Sequence, residues 1–126
     1  MYLEKINGPA DVKALNSPER TVLAAEMRTA LIQKLSRHGG PNLGLVEATI
    51  ALHTVFDSPK DRFVFDVSHQ TYPHKMLTGR SYGFLDPARY DDITGYSAPQ
   101  ESAHDPFTLG HTSTSVSLAC GLAKAR

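Results

Sequence analysis

Two segments hold side chains of the kind that bind anions or move protons. The first, DVSHQTYPHK, carries His69 and His74. The second, GHTSTS over Gly110–Ser115, joins a glycine that admits close backbone approach to His111 and four hydroxyls. Hydroxyls ahead of a helix, together with free amides and the positive end of the helix dipole, favour phosphate or diphosphate. The same hydroxyls would serve an ordinary helix cap, and on this segment alone the two readings weigh equally. His69 follows a strand-like run, and open parallel sheets bind ligands at the carboxyl ends of their strands. Taken alone it is more simply a polar strand end. His74 lies five residues on, about 140° around a helix from His69, so a zinc hydrolase built on Asp66, His69 and His74 has poor geometry. The chain has neither a GxSxG elbow nor a Walker phosphate loop, which removes support for a serine hydrolase or a P-loop nucleotidase. HGGPNLG, His38–Gly44, reads as a helix linker whose backbone can line a site. His53 within an apolar helix, His104 in an acidic stretch and Cys120 in a small-residue helix read as structural.

These segments need elements to position them. Residues up to Asn16 show no clear period and read as an N-terminal arm, with a second unit over residues 17–126. Ser17 followed by Pro18 is a helix start, a capping hydroxyl with proline at the first helical position. Leu23, Met27, Ala30, Leu31 and Leu35 then recur at helical spacing, predicting an amphipathic helix to about Arg37. A second helix is expected from about Leu43 to Phe56, apolar on nearly every side and therefore buried all round. Asp57 to Asp61 is a turn. Arg62 to Val67, RFVFDV, is the one strand the pattern predicts. Thr71 to Leu77 suits a short helix stopped by Gly79. Arg80 to Phe107 shows no sustained period and reads as a long loop, a length usually tied to function or to partners. A final helix follows GHTSTS, through Val116, Ala119, Cys120 and Ala123. One strand makes no sheet, and the order helix, strand, helix implies an α/β fold with a parallel sheet that needs more strands than the chain offers. The chain is therefore expected to stop before its fold does.

Composition narrows the function classes. The 126 residues include 40% hydrophobic ones, enough for a packed core and far from disordered or fibrous compositions. No apolar stretch approaches the ~20 residues of a membrane helix, and the start MYLEKINGPA lacks a signal-peptide core. Thirteen basic residues balance thirteen acidic ones, so there is no net attraction to nucleic acid or anionic lipid. A single cysteine fits a reducing, cytoplasmic setting.

Taken together, ALHTVFDSPKDRFVFDVSHQTYPHKMLTGR and LGHTSTSVSLACGLAKAR resemble the amino-terminal region of the 1-deoxy-D-xylulose 5-phosphate synthase family, within the transketolase-like thiamine diphosphate enzymes. The resemblance runs from about Leu35 to Arg126, and the ordered pair of motifs is far more specific than either alone. It implies that His69 contacts the cofactor near its reactive ring and that Gly110, His111 and Thr112 also bind it. His69 and His111 would then donate hydrogen bonds to developing oxyanions and shuttle protons. His38 takes the spacing of a further active-site histidine of the family, with Arg37 where the family has glycine. Its loop is three residues shorter than HGGHVGPNLG of some relatives. The implied reaction joins pyruvate, with loss of carbon dioxide, to glyceraldehyde 3-phosphate, giving a precursor of isoprenoids and thiamine. The resemblance also implies a homodimer and Mg2+, bound through a Gly-Asp-Gly segment and a later asparagine expected beyond Arg126. With those ligands and the activating glutamate of a second domain lacking, the chain is not expected to turn over substrate alone. A relative with another sugar substrate, or a non-catalytic cofactor-binding subunit of a split transketolase, fits the same residues.

Overall fold

The computed structural model describes residues 1–38, 43–66, 68–108 and 114–125, and within these the side chains of 36–38, 68 and 69 are not described. The longest element is α2 (Ser17–His38), preceded by α1 (Pro9–Lys13) and followed by α3 (Val46–Val55). Two short helices, α4 (Tyr72–Lys75) and α5 (Tyr82–Leu85), flank a π turn at Met76–Arg80, and α6 (Ser115–Ala125) closes the chain. 3₁₀ turns lie at Leu3–Lys5, Leu43–Leu45, Ser68–Thr71 and Pro87–Asp92.

Helix α2 buries one stripe, with Leu23, Met27, Ala30, Leu31, Lys34 and Leu35 all inside. It starts at Ser17 as the proline predicts, but Asn16 caps it. The Asn16 Oδ1 accepts from Glu19 N at 3.0 Å and Glu19 Oε2 accepts from Asn16 N at 2.9 Å, a reciprocal capping box. The residues before it are not loose. Leu3, Ile6 and Val12 are buried in the same core as α2, α1 packs on α3, and Tyr2 N donates to Glu26 on α2. Elements of three to five residues leave no readable period, so the sequence pattern conceals them.

Helix α3 is buried on one face only. Val46, Thr49, Ile50 and His53 point inward at helical spacing, whereas Leu52, Val55 and Phe56 are exposed. Its other face, expected to be covered, is open because α1, α2 and α4 all pack on the same side. The Lys13 ammonium donates to the His53, Thr54 and Phe56 carbonyls and so satisfies the end of α3.

The expected strand is not in a sheet. Residues 62–65 have no regular assignment, and Val67 lies outside the described residues. Among the described residues there is no strand to pair with, and a lone strand gains no ladder hydrogen bonds. Its aromatics pack on histidines instead: the Phe63 ring meets His53 edge-on at 4.9 Å, and Phe65 lies 5.2 Å from His74.

Gly79 does end the helical run after Thr71. Its φ of +92° suits only glycine, and a Cβ there would stand 3.0 Å from the Asn7 carbonyl oxygen. The stretch from Arg80 to Phe107, expected as loop, holds α5 and the 3₁₀ turn capped by Asp86, and it buries Phe84, Tyr90, Ile93 and Ala98. Lys34, fully covered, reaches it from α2 and donates to the Gly83 and Tyr90 carbonyls at 3.0 and 2.9 Å.

Candidate functional site

The helical turns over residues 68–80 place His74, Lys75 and Arg80 on the inside, although two are full cations. Charges enter a core only when paired. Asp105 forms a two-pronged pair with Arg80, at 2.7 Å and 2.8 Å. The Glu101 Oε1 accepts from Arg80 at 3.0 Å and from Lys75 at 2.8 Å. Two cations therefore face two anions in a closed, neutral cluster. Backbone donors complete it: Ala98 N gives a hydrogen bond to Asp105 and Thr94 N to Glu101, each at 2.9 Å.

His74 extends this cluster. Its Nε2 lies 3.0 Å from the His104 carbonyl and 3.2 Å from Asp105 Oδ1, two acceptors, so Nε2 carries a proton. Its Nδ1 lies 2.8 Å from His53 Nε2, with the rings stacked 5.0 Å apart. The far nitrogen of His53, Nδ1, has no partner among the described residues, as expected for the bare nitrogen of an imidazole whose Nε2–H donates to His74. His104 accepts from or donates to Ser58 Oγ through Nδ1 at 2.8 Å.

Protonation follows from this packing. Burial, and then the neighbouring His74, His104 and Lys13, push the His53 imidazole down to about 3, so it is neutral. Burial opposes ionisation of Asp105, but hydrogen bonds from Arg80 and His74 outweigh it and hold the carboxyl well below the usual carboxylate range. Burial also pulls the Lys75 ammonium and the His104 imidazole down; Glu101 partly offsets this for Lys75. For Glu101 burial is again outweighed, here by Lys75 and the Thr94 amide, and its carboxyl is held low.

A second contact lies toward α6. The Asp66 Oδ1 accepts from Ser115 Oγ at 2.8 Å and from Ser115 N at 3.3 Å. It therefore caps α6 across 49 residues of sequence. This qualifies the expectation of an open anion seat at this helix, since a carboxylate already occupies the amide of Ser115.

The residues expected to do chemistry sit as follows. His69 is within the 3₁₀ turn Ser68–Thr71 and His38 ends α2; their side chains are not described. Gly110, His111 and Thr112 lie outside the described residues. What the structure does bring together are their flanks. Asp66, three residues before His69, meets Ser115, three residues after Thr112. The zinc set of Asp66, His69 and His74 does not assemble, because both nitrogens of His74 are engaged by His53, His104 and Asp105, and Asp66 faces Ser115. Among the described residues no group of three or more His, Cys, Asp or Glu converges as a metal site. Nor is any helix among them long and apolar enough to cross a membrane. The cluster of Arg80, Glu101 and Asp105 escaped sequence reasoning, since partners 21 and 25 residues apart in an aperiodic stretch leave no spacing signal.

The family model for 1-deoxy-D-xylulose-5-phosphate synthase matches residues 3–126. The chain is 49% identical to the 1-deoxy-D-xylulose-5-phosphate synthase of Symbiobacterium thermophilum over 129 aligned positions, which cover 100% of the chain and 20% of that enzyme. It is 50% identical to the enzymes of the same name from Thermomicrobium roseum and Brevibacillus brevis, covering 99% and 100% of the chain and 20% of each relative. The chain thus spans about a fifth of the length of the curated relatives it matches. The motif pair, the joined flanks of its two segments and the match over residues 3–126 agree: the chain belongs to the 1-deoxy-D-xylulose-5-phosphate synthase family.

Proposed function

We propose that this chain is part of the diphosphate-binding domain of an enzyme that condenses pyruvate, with decarboxylation, with glyceraldehyde 3-phosphate to give 1-deoxy-D-xylulose 5-phosphate. The match over residues 3–126 carries the reading, and the Asp66–Ser115 contact supports it by joining the flanks of both expected cofactor segments. In this reading residues 17–126 are the partial domain, residues 1–16 an arm packed onto it, and residues 62–67 enter a parallel sheet once further strands are present. The enzyme is a cytoplasmic homodimer.

The residue types of these two segments suit thiamine diphosphate. Hydroxyls and amides over 110–114 suit a diphosphate, and His69 and His111 suit the ring end. When bound, the cofactor supplies an acidic thiazolium carbon that acts as nucleophile and electron sink. In this reading His69 and His111 would donate hydrogen bonds to oxygens as negative charge develops and shuttle protons, and His38 would be a further active-site histidine. Gly110 and Thr112 would help hold the cofactor. In this reading Mg2+ would be held through the family's Gly-Asp-Gly segment, which this sequence does not contain.

The test is product formation. The complete protein, given pyruvate, glyceraldehyde 3-phosphate, thiamine diphosphate and Mg2+, is expected to yield 1-deoxy-D-xylulose 5-phosphate, and His69→Ala to lower kcat about a hundredfold or more. An inactive wild-type protein, or unchanged activity in His69→Ala, contradicts the reading. Product only with another sugar acceptor identifies the transketolase-like alternative.

A further inference from the structure

We infer that Asn7 is a site of spontaneous deamidation whose products loosen the packing of the first turns of the chain on α2 and α3. The chain has three asparagines, Asn7, Asn16 and Asn42, and of these Asn7 alone is followed by glycine. Glycine carries no Cβ and so leaves its own backbone nitrogen unshielded. Asn7 is exposed, and neither its carboxamide nor the Gly8 amide is hydrogen-bonded to the described residues. The reaction has room: a Cβ built on Gly8 would meet nothing within 4 Å. Asn16 is the contrast. Its Oδ1 accepts from Glu19 N at 3.0 Å, and the next nitrogen belongs to Ser17 at the start of α2, so the carboxamide is held and the nucleophile is shielded by a side chain.

The step is a cyclisation. The Gly8 nitrogen gives up its proton and attacks Cγ of Asn7, the bond from Cγ to Nδ2 breaks, and Nδ2 leaves as ammonia, taking up that proton. The Gly8 nitrogen is then bonded to both Cγ and the main-chain carbonyl carbon of Asn7. Water opens the ring at either bond. Opening at Cγ gives aspartate; opening at the main-chain carbon routes the backbone through Cβ and Cγ and leaves the former carbonyl as a free carboxylate. The second product does not fit its surroundings. Ile6 and Pro9 are buried on either side of the reacting pair. The Asn7 carbonyl oxygen lies against Gly79, where a Cβ would come within 3.0 Å, and Asn7 N donates to Asp11 Oδ2 at 2.8 Å. A longer backbone between two buried anchors, with a new negative charge beside Asp11, weakens the hold of Leu3, Ile6 and Val12 in the core.

The experiment incubates the complete protein for days at neutral and mildly alkaline pH and then digests it with trypsin, which isolates Asn7 in Ile6–Lys13 and Asn16 in Ala14–Arg20. Peptide masses and separation of isomers follow each site. Ile6–Lys13 is expected to deamidate at least about tenfold faster than Ala14–Arg20, to give both aspartyl isomers, and to react faster at the higher pH, where the Gly8 amide loses its proton more readily. Gly8→Ala is expected to slow the reaction about tenfold; alanine suits this position, whose φ of −175° and ψ of 176° are the extended backbone that precedes a proline. Amide hydrogen exchange over residues 3–12 is expected to be about tenfold faster in the aged wild-type protein than in Gly8→Ala aged alongside it. A rate at Asn7 no faster than at Asn16, or an unchanged rate in Gly8→Ala, overturns the site. Unchanged exchange after full conversion overturns the loosening. Should Gly8→Ala fail to fold, Asn7→Gln, whose extra methylene disfavours the ring, takes its place.

Discussion

Two regions of this chain solve the burial problem in opposite ways. Between Tyr72 and Asp105 the interior holds Lys75, Arg80, His74 and Asp105, and nearly every polar atom of these side chains has a partner within the same stretch or on α3. Around α6 the composition is apolar, yet the helix buries no residue among those described and Val116 is 71% exposed. Its described tie to the preceding segment is the Asp66–Ser115 contact, beside a groove lined by Val64, Ala119, Leu122 and Ala123 together with Lys60 and Arg62. The polar region is complete in itself and the apolar region is not. Specific pairing can close a structure locally, whereas apolar surface stabilises only when something covers it. Asp66 and Ser115 meet where the finished region borders the open one.

That contrast is open to direct attack. The largest effect is expected from Asp105→Ala, which strands Arg80 and takes a partner from His74. It should cost about 3–5 kcal/mol in a denaturant titration, and a loss below about 1 kcal/mol would mean that the polar region is not self-supporting. Next comes acid. The folded His53 pKa of about 3 lies below the unfolded value of 6.5, so the unfolded state binds more protons between these values. Stability is therefore full above pH 6.5 and falls as the pH drops toward 3, by up to about 1.4 kcal/mol per pH unit for this group. Asp105 adds a loss of the same sign at lower pH, below its unfolded range. Unfolding measured from pH 6.5 to 4.5 should show the slope, and His53→Gln should flatten it. Asn16→Ala, which breaks the capping box of α2, is expected to lower stability by about 1 kcal/mol, read as a shift in the denaturation midpoint. The smallest effect belongs to the open region: in the 126-residue chain Val116→Ser should change stability by no more than about 0.5 kcal/mol. A larger loss there would show that α6 is packed after all.

Legibility in the sequence followed the same division. The α2 stripe was readable from Leu23 to Leu35 because a long helix repeats its period, while the capping side chain fell one residue earlier, on Asn16, because Asn and Ser cap by the same chemistry. Leu3, Ile6 and Val12 were hidden in elements too short to show a period. RFVFDV has the side chains of a strand, but pairing decides a strand and the described residues offer no partner. His53 reads as a core residue from its apolar helix and is one. Two motifs were legible, and their order and separation, more than either alone, carry the family resemblance. What joined them, Asp66 to Ser115 and His74 to Asp105, depends on tertiary contacts across 49 and 31 positions, which no local pattern encodes.

The most direct test is a crystal structure of the complete protein with thiamine diphosphate and Mg2+. The account predicts the cofactor against His69 and residues 110–112, with the Asp66–Ser115 and His74–Asp105 contacts kept. A cofactor bound elsewhere, or bound there with both contacts broken, would contradict it.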